Sequence, residues 1–188
     1  LKREEYNPFL HNAWMMMGRS QYMNGDFLGA ASTFFYISKH FWWLPATVTE
    51  AELWQARSYI ASDWLFEAET ILNAIKEKEL TNSRLTNLYN FDMADLFVRS
   101  RRYDDAIPYL SKAADASKGS QKARLTFLLG QLYELTGKKA EAYAAYRKVS
   151  GMSSMPYRTR FNARIRQSEV FQGTDVSREV KSLRSLAR

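Results

Sequence analysis

The sequence predicts an all-α chain of antiparallel helix pairs stacked one on the next, and three observations predict it. Ala and Leu supply 40 of the 188 residues while Gly and Pro total 12, a balance that suits close-packed helices more than strands and turns. A small residue is followed twelve positions later by Ala four separate times, at Gly18/Ala30, Ala56/Ala68, Ala94/Ala106 and Gly130/Ala142. Four positions beyond each Ala stands a bulky side chain (Phe34, Leu72, Leu110, Tyr146), and three further on come Ile37, Ile75, Ala113 and Val149. That i, i+4, i+7 rhythm is one helix face.

The elements follow in order. Asn7 before Pro8 reads as an N-cap with Pro in the first helical position, opening a pair over about residues 7–40 whose helices part at Asn24-Gly25-Asp26. After a connection from His40 to Thr49, Thr49 with Glu52 three residues on reads as a capping box for a second pair over 49–79. A third pair spans 87–117. Its Pro108 follows Asp104-Asp105 near a first turn, where a missing amide costs little. The fourth pair, 121–151, turns at Thr136-Gly137-Lys138, and residues 157–188 read as a degenerate fifth. The copies are spaced 38, 38 and 36 residues apart. Gly18, Ala30, Ala56, Ala68, Ala94, Ala106, Gly130 and Ala142 are expected to be the packing residues, since small side chains let helix backbones approach and bulky neighbours fill the holes beside them. One hairpin leaves a face uncovered, so the pairs must stack and share an elongated core, which leaves a concave groove.

The run Ala13-Trp14, Met17-Gly18, Gly25-Asp26-Phe27, Ala30 and Phe34 resembles the tetratricopeptide repeat, as does Leu129-Gly130, Tyr133, Gly137, Ala142 and Tyr146. The two middle copies depart from the pattern, with Ala in place of Gly and no Trp. The resemblance implies a right-handed α-solenoid of four repeats plus the degenerate pair, a single domain over 1–188. It also implies a non-enzymatic scaffold for a protein or peptide partner, with the groove lined by the first helix of each pair. The residues expected there are Asn12, Met15, Arg19 and Tyr22, then Leu53 and Arg57, then Phe91, Asp95 and Arg99, and finally Arg124, Phe127, Gln131 and Glu134. Arg and aromatic side chains are the usual anchors of protein interfaces. Met15 and Arg19 stand where chaperone-binding relatives carry Lys and Asn, so capture of a C-terminal carboxylate is not expected. Charge reversal at Arg19 and Arg57 is expected to weaken partner capture while leaving the melting temperature nearly unchanged.

A narrower resemblance lies in Tyr6 to Trp14 and Gly25 to Phe34, which are similar to the tetratricopeptide segment of the PorW/SprE lipoprotein family of the Bacteroidetes. It covers mainly residues 6–76 and includes no catalytic motif. It implies an accessory role in type IX secretion and gliding, with secretion-machinery subunits as partners. The implied location is periplasmic, at the outer membrane through an upstream lipidated Cys; a cytoplasmic location is the alternative.

Catalytic chemistry is not expected. Cys is absent, which removes disulfides, thiolate zinc sites and thiol nucleophiles from this segment. His11 and His40 have no His or Glu three or four positions away, so neither belongs to a metal motif; His11 reads as helix surface and His40 as a loop residue against aromatics. Glu67/Glu69 and Asp104/Asp105 splay across or start helices, where acids favour the positive dipole end. No phosphate loop, dinucleotide fingerprint or serine elbow occurs, and no cofactor is expected. No stretch approaches the roughly 18 apolar residues of a membrane span, so a soluble segment is expected. Its opening at Leu1 rather than Met reads as a piece of a longer protein.

The net charge of +7 is concentrated late, with eight Arg or Lys against three acids in Tyr157 to Arg188. Arg158, Arg160, Arg164 and Arg166 keep alive one alternative, binding of RNA or single-stranded nucleic acid. Specific recognition is not expected, because the aromatics are not gathered there as stacking platforms. Two apolar features remain. Met15-Met16-Met17 covers nearly a full helical turn, so at least one member should reach groove or solvent. The run His40-Phe41-Trp42-Trp43-Leu44-Pro45 is expected to pack over the first two repeats.

Overall fold

The computed structural model describes residues 7–153, 155–173 and 176–184, and all regular structure among them is helical. Tyr6 and residues 174, 175 and 185–188 of the expected fifth pair lie outside the described residues. The helices form two compact units. The first, residues 1–101, holds α1 (Leu10–Met23), α2 (Phe27–His40), α3 (Pro45–Ala61), α4 (Leu65–Ala74), a short 3-10 turn (Glu77–Glu79) and α5 (Ser83–Arg99). The second, residues 102–188, holds α6 (Tyr103–Ala116), α7 (Gly119–Leu135), α8 (Lys139–Ser150), α9 (Tyr157–Glu169) and α10 (Val176–Arg184).

Local chemistry sets the helix ends. Asp26 opens α2 by accepting the Gly29 N–H on Oδ1 at 3.0 Å, and Asn82 opens α5 by accepting the Leu85 N–H at 3.0 Å. Each cap satisfies an amide that has no partner inside its helix. Asn7 accepts the Phe9 N–H on its side chain at 2.9 Å and the Leu10 N–H on its carbonyl at 3.1 Å. It therefore caps a turn ahead of α1, which starts at Leu10 instead of Pro8.

Three expectations are corrected. The second pair begins at Pro45, leaving only Phe41 to Leu44 as the connection, and His40 is the last residue of α2 instead of a loop residue. Pro45 takes the first helical position, where its locked φ fits and its missing amide is not needed. Thr49 then lies a turn inside α3 and donates its hydroxyl to the Pro45 carbonyl at 3.1 Å, so its spacing to Glu52 is not a cap. Pro108 is the sixth residue of α6, beyond the amide-free first turn. The bond it forfeits is to the carbonyl of Asp104, an exposed residue, and the helix continues through it.

The turns within pairs share one backbone conformation. Gly25 (φ +83°) and Gly137 (φ +75°) are left-handed, as are Asp63 (φ 63°) and Arg101 (φ 58°) at the corresponding positions. Glycine adopts this region freely, whereas a side chain makes it costly.

The core is built on the small residues. A Cβ on Gly18 would lie 2.7 Å from Cε1 and Cζ of Phe34, and one on Gly130 would lie 2.7 Å from Cε1 of Tyr146. Gly18, Gly130 and the six alanines of the pattern are all buried. In the first unit Met15, Ala30, Phe34, Ile37, Phe41, Ala51 and Trp54 form one cluster. In the second, Ala123, Val149, Met155 and Ala163 form one, and Ala142, Tyr146 and Val170 another. Each large apolar side chain removed from water contributes about 1.5–3 kcal/mol. The aromatic run after α2 packs less than expected. Phe41 is buried, but Trp42 and Trp43 remain 73% and 46% exposed, since consecutive rings cannot all face one core.

Candidate functional site

The first-unit residues expected to line a groove come from α1, α3 and α5. On α1, Asn12 is exposed, whereas Arg19 and Tyr22 are half-buried. Arg19 donates to Oε1 of Glu50 on α3, and Arg84 on α5 donates to the same oxygen at 2.6 Å. Further along α3, Arg57 Nε donates to Asp92 Oδ1 on α5 at 2.7 Å. The Arg57 guanidinium lies over two rings, Trp54 at 5.0 Å and Phe91 at 5.3 Å. Arg19 also lies over Trp54, at 5.5 Å, and the Tyr22 ring meets Trp54 edge-on at 5.6 Å. On α5, Asp95 and Arg99 pair at 3.4 Å across one turn. Guanidinium planes on aromatic faces combine apolar contact with directional donors, so α1, α3 and α5 share a face of ion pairs and partly exposed rings laid over the buried Trp54 and Asp92.

Two expected groove residues are not on that surface. Met15 is 5% exposed and Leu53 0% exposed. Met15 belongs to the Phe34 cluster, while its neighbours Met16 and Met17 are 70% and 41% exposed. One residue along an α-helix rotates a side chain by about 100°, enough to move it from solvent into the seam with the next helix.

Arg57 differs from the expectation in another way. Its partner Asp92 is 1% exposed, so reversing the charge of Arg57 would set two anions against each other in the core. The expected small effect on melting applies to Arg19, not to Arg57. Burial raises the Asp92 carboxyl from 3.8 to about 7, with desolvation outweighing the attraction and hydrogen bond of Arg57. Its Oδ2 and the Trp54 Nε1 are buried with no hydrogen-bond partner. Burial also raises the Tyr22 hydroxyl.

In the second unit, Arg124 is exposed, Gln131 is half-buried, and Phe127 packs on Tyr146 with ring centres 5.2 Å apart. Glu134 accepts the Tyr146 hydroxyl at 2.9 Å and faces Arg166 at 3.6 Å. Burial and this carboxylate together hold the Tyr146 hydroxyl well above its ordinary range. Glu134 is thus engaged in a core contact. The late basic tract is partly committed too, since Arg166 also pairs with Glu169 at 3.2 Å and Arg164 donates to Gln167 at 3.1 Å.

Sequence reasoning missed Glu50, Trp54, Arg84 and Asp92, which hold this surface together. Their partners lie 31 to 35 residues away, close to one repeat length, and that spacing was the available signal. His40 stacks on Tyr36 at 4.9 Å and lies near Phe41 and Trp43; His11 faces Phe41 at 6.2 Å. Among the described residues no three His, Asp or Glu side chains gather as metal ligands, and no helix is long and apolar enough to cross a membrane.

Residues 91–153 match the tetratricopeptide repeat family. No curated protein sequence matches the chain. Among solved structures, the chain is similar to the nearly identical TPR-like repeats of a Podosopora anserina protein named for the kinesin light chain. The TM-score is 0.71 at 14% identity, covering 97% of this chain and 97% of that one. BtubC (BKLC) from P. vanneervenii gives 0.66 at 15% identity, covering 97% and 79% of the two chains. The MamA RS-1 ArsTM double mutant gives 0.65 at 13% identity, covering 95% and 94%. The fold is therefore all-α and built of tetratricopeptide-like helix pairs.

Proposed function

We propose that the chain is a non-enzymatic protein-interaction module whose first-unit surface on α1, α3 and α5 holds an extended segment of a partner. The observation that carries the reading is the face itself. Arg19, Arg57 and Tyr22 lie against the buried Trp54, Phe91 flanks Arg57, and Asp95 and Arg99 continue the face along α5. This is the mixture of ring area and directional donors that anchors protein interfaces. Tetratricopeptide repeats are in general protein-binding folds, which adds an argument by analogy. Within the second unit, taken by itself, Arg124 and Gln131 are proposed as partner contacts on α7.

The finer reading is an accessory subunit of a type IX secretion or gliding machinery, held at the periplasmic side of the outer membrane by an upstream lipid. It is supported by the resemblance of residues 6–76 alone.

Selection of peptides from a display library on the immobilised chain tests the module. Peptides are expected to be enriched, with binding lost on Tyr22→Ala or Arg99→Glu and kept on Phe66→Ala, a change at an exposed side chain of α4. Enrichment only of nucleic acid in a parallel oligonucleotide selection at physiological salt would overturn the reading in favour of the basic tract.

A further inference from the structure

The ion pairs on the first-unit face are not all balanced. Arg57 meets Asp92 and Arg99 meets Asp95 one to one, but Arg19 and Arg84 converge on a single oxygen of Glu50. Two guanidiniums around one carboxylate leave an unneutralised positive charge. Glu50 is mostly shielded, with 17% of its side chain exposed, whereas Arg19 and Arg84 are 33% and 66% exposed. The excess charge therefore faces outward on the two arginines while the anion lies behind them. Each arginine commits one Nη2 to Glu50, and a guanidinium carries five N–H donors in a planar fork; Arg19 Nε is buried, so Arg19 offers its outer Nη1 edge. Arg19 is further held by the face of Trp54 and by the helix crossing at its neighbour Gly18, so one of the two donors is placed before any ligand arrives.

We propose that Arg19 and Arg84, set around Glu50, seat a side-chain carboxylate of an acidic peptide segment. The incoming carboxylate completes an alternating arrangement of two guanidiniums and two carboxylates, in which each anion touches cations only. A guanidinium fork matches a carboxylate in two parallel bonds. A basic segment would meet the excess charge with repulsion, and a purely apolar one would bury the arginine donors without acceptors. The seat lies along the helices, between α1, α3 and α5, so it takes an internal Asp or Glu and needs no chain end. This inference rests on the reading of that face as a peptide-binding surface and names the chemistry it selects.

The test is fluorescence anisotropy of an amino-terminally labelled hexaglutamate with an amidated carboxyl end, at physiological salt. The native chain is expected to bind it, and Arg84→Ala to weaken binding about threefold or more. Because Arg84 is mostly exposed, that change leaves the fold intact. Glu50→Gln is the discriminating variant: removing the internal competitor frees both guanidiniums, so binding should tighten, whereas a merely structural Glu50 would give weaker binding. Arg147→Ala and Arg158→Ala, exposed cations in the second unit, should change nothing. Equal loss in those controls, an unchanged Arg84→Ala, or weaker binding with Glu50→Gln would overturn the seat. If hexaglutamate fails to bind while display-selected neutral peptides bind and respond to Tyr22→Ala, the seat is wrong and the peptide-binding face stands. If neither binds, both fall.

Discussion

The ring of Phe34 occupies the space that a side chain on Gly18 would need, with a Cβ at that position only 2.7 Å from two ring atoms. Gly130 stands in the same relation to Tyr146. The second pair carries Ala56 and Leu72 at the matching positions, both 0% exposed, and the sequence repeats the combination in Ala94 and Leu110. Glycine thus goes with an aromatic ring and alanine with leucine, so the volume lost on one helix is regained on the other.

Gly18→Ala is therefore expected to destabilise the first unit. Overpacking costs about 1–3 kcal/mol, and the better helix propensity of alanine returns about 1 kcal/mol. Phe34 is 0% exposed, so its ring has no room to swing away. Combining Gly18→Ala with Phe34→Leu recreates the Ala56/Leu72 combination and should cost less than the sum of the single changes. Urea melts of the four proteins in the cycle measure this coupling; simple additivity would show that the two residues do not share the space.

Arg57 and Asp92 make a second prediction, in which pH sets the size of the effect. Arg57→Ala leaves a buried carboxylate unpaired, at a cost of about 3–5 kcal/mol when Asp92 is charged. With the Asp92 carboxyl raised from 3.8 to about 7, the cost should be near its full value at pH 8 and clearly smaller at pH 5, where the group is neutral. In the native chain the folded state keeps a proton that the unfolded state has lost. The contribution of Asp92 is therefore fully present below pH about 4 and declines as pH rises through about 7. Asp92→Asn should flatten that slope. Denaturant melts across this range check both statements, and a cost of Arg57→Ala that is the same at pH 5 and pH 8 would contradict them.

Arg101 sits at φ 58°, where the first and fourth pairs carry Gly25 and Gly137. A left-handed non-glycine residue costs about 1–2 kcal/mol, and glycine loses about 0.5–1 kcal/mol more backbone entropy on folding. Arg101→Gly should raise stability by up to about 1.5 kcal/mol. The check is a shift of the urea midpoint at unchanged m-value. A lower midpoint would mean that the Arg101 side chain contributes more than its backbone costs.

What the sequence made legible was what lies close along the chain. Gly18 and Phe34 are sixteen residues apart within one hairpin, so helix periodicity and one short turn are enough to bring them together. The same holds for Gly130 and Tyr146. The polar lattice was not legible, because Arg57 finds Asp92 across neighbouring pairs, 35 residues away, and that meeting depends on how each helix is rotated about its axis. Met15 and Leu53 show the size of the problem: both are buried, whereas Met16, one residue of rotation from Met15, is 70% exposed. At Thr49 a local signal misled, since a Thr followed by Glu at the right spacing caps a helix only when the chain before it is not already helical. Pro45 had already started one.

Hydrogen–deuterium exchange of the chain with and without a saturating display-selected peptide tests the central claim most directly. The expected result is slower exchange in α1, α3 and α5, over residues 10–23, 45–61 and 83–99, with α2 and α4 unchanged. Protection confined to α2 and α4, or to the basic α9 and α10, would contradict the assignment of the first-unit face as the surface that holds a partner.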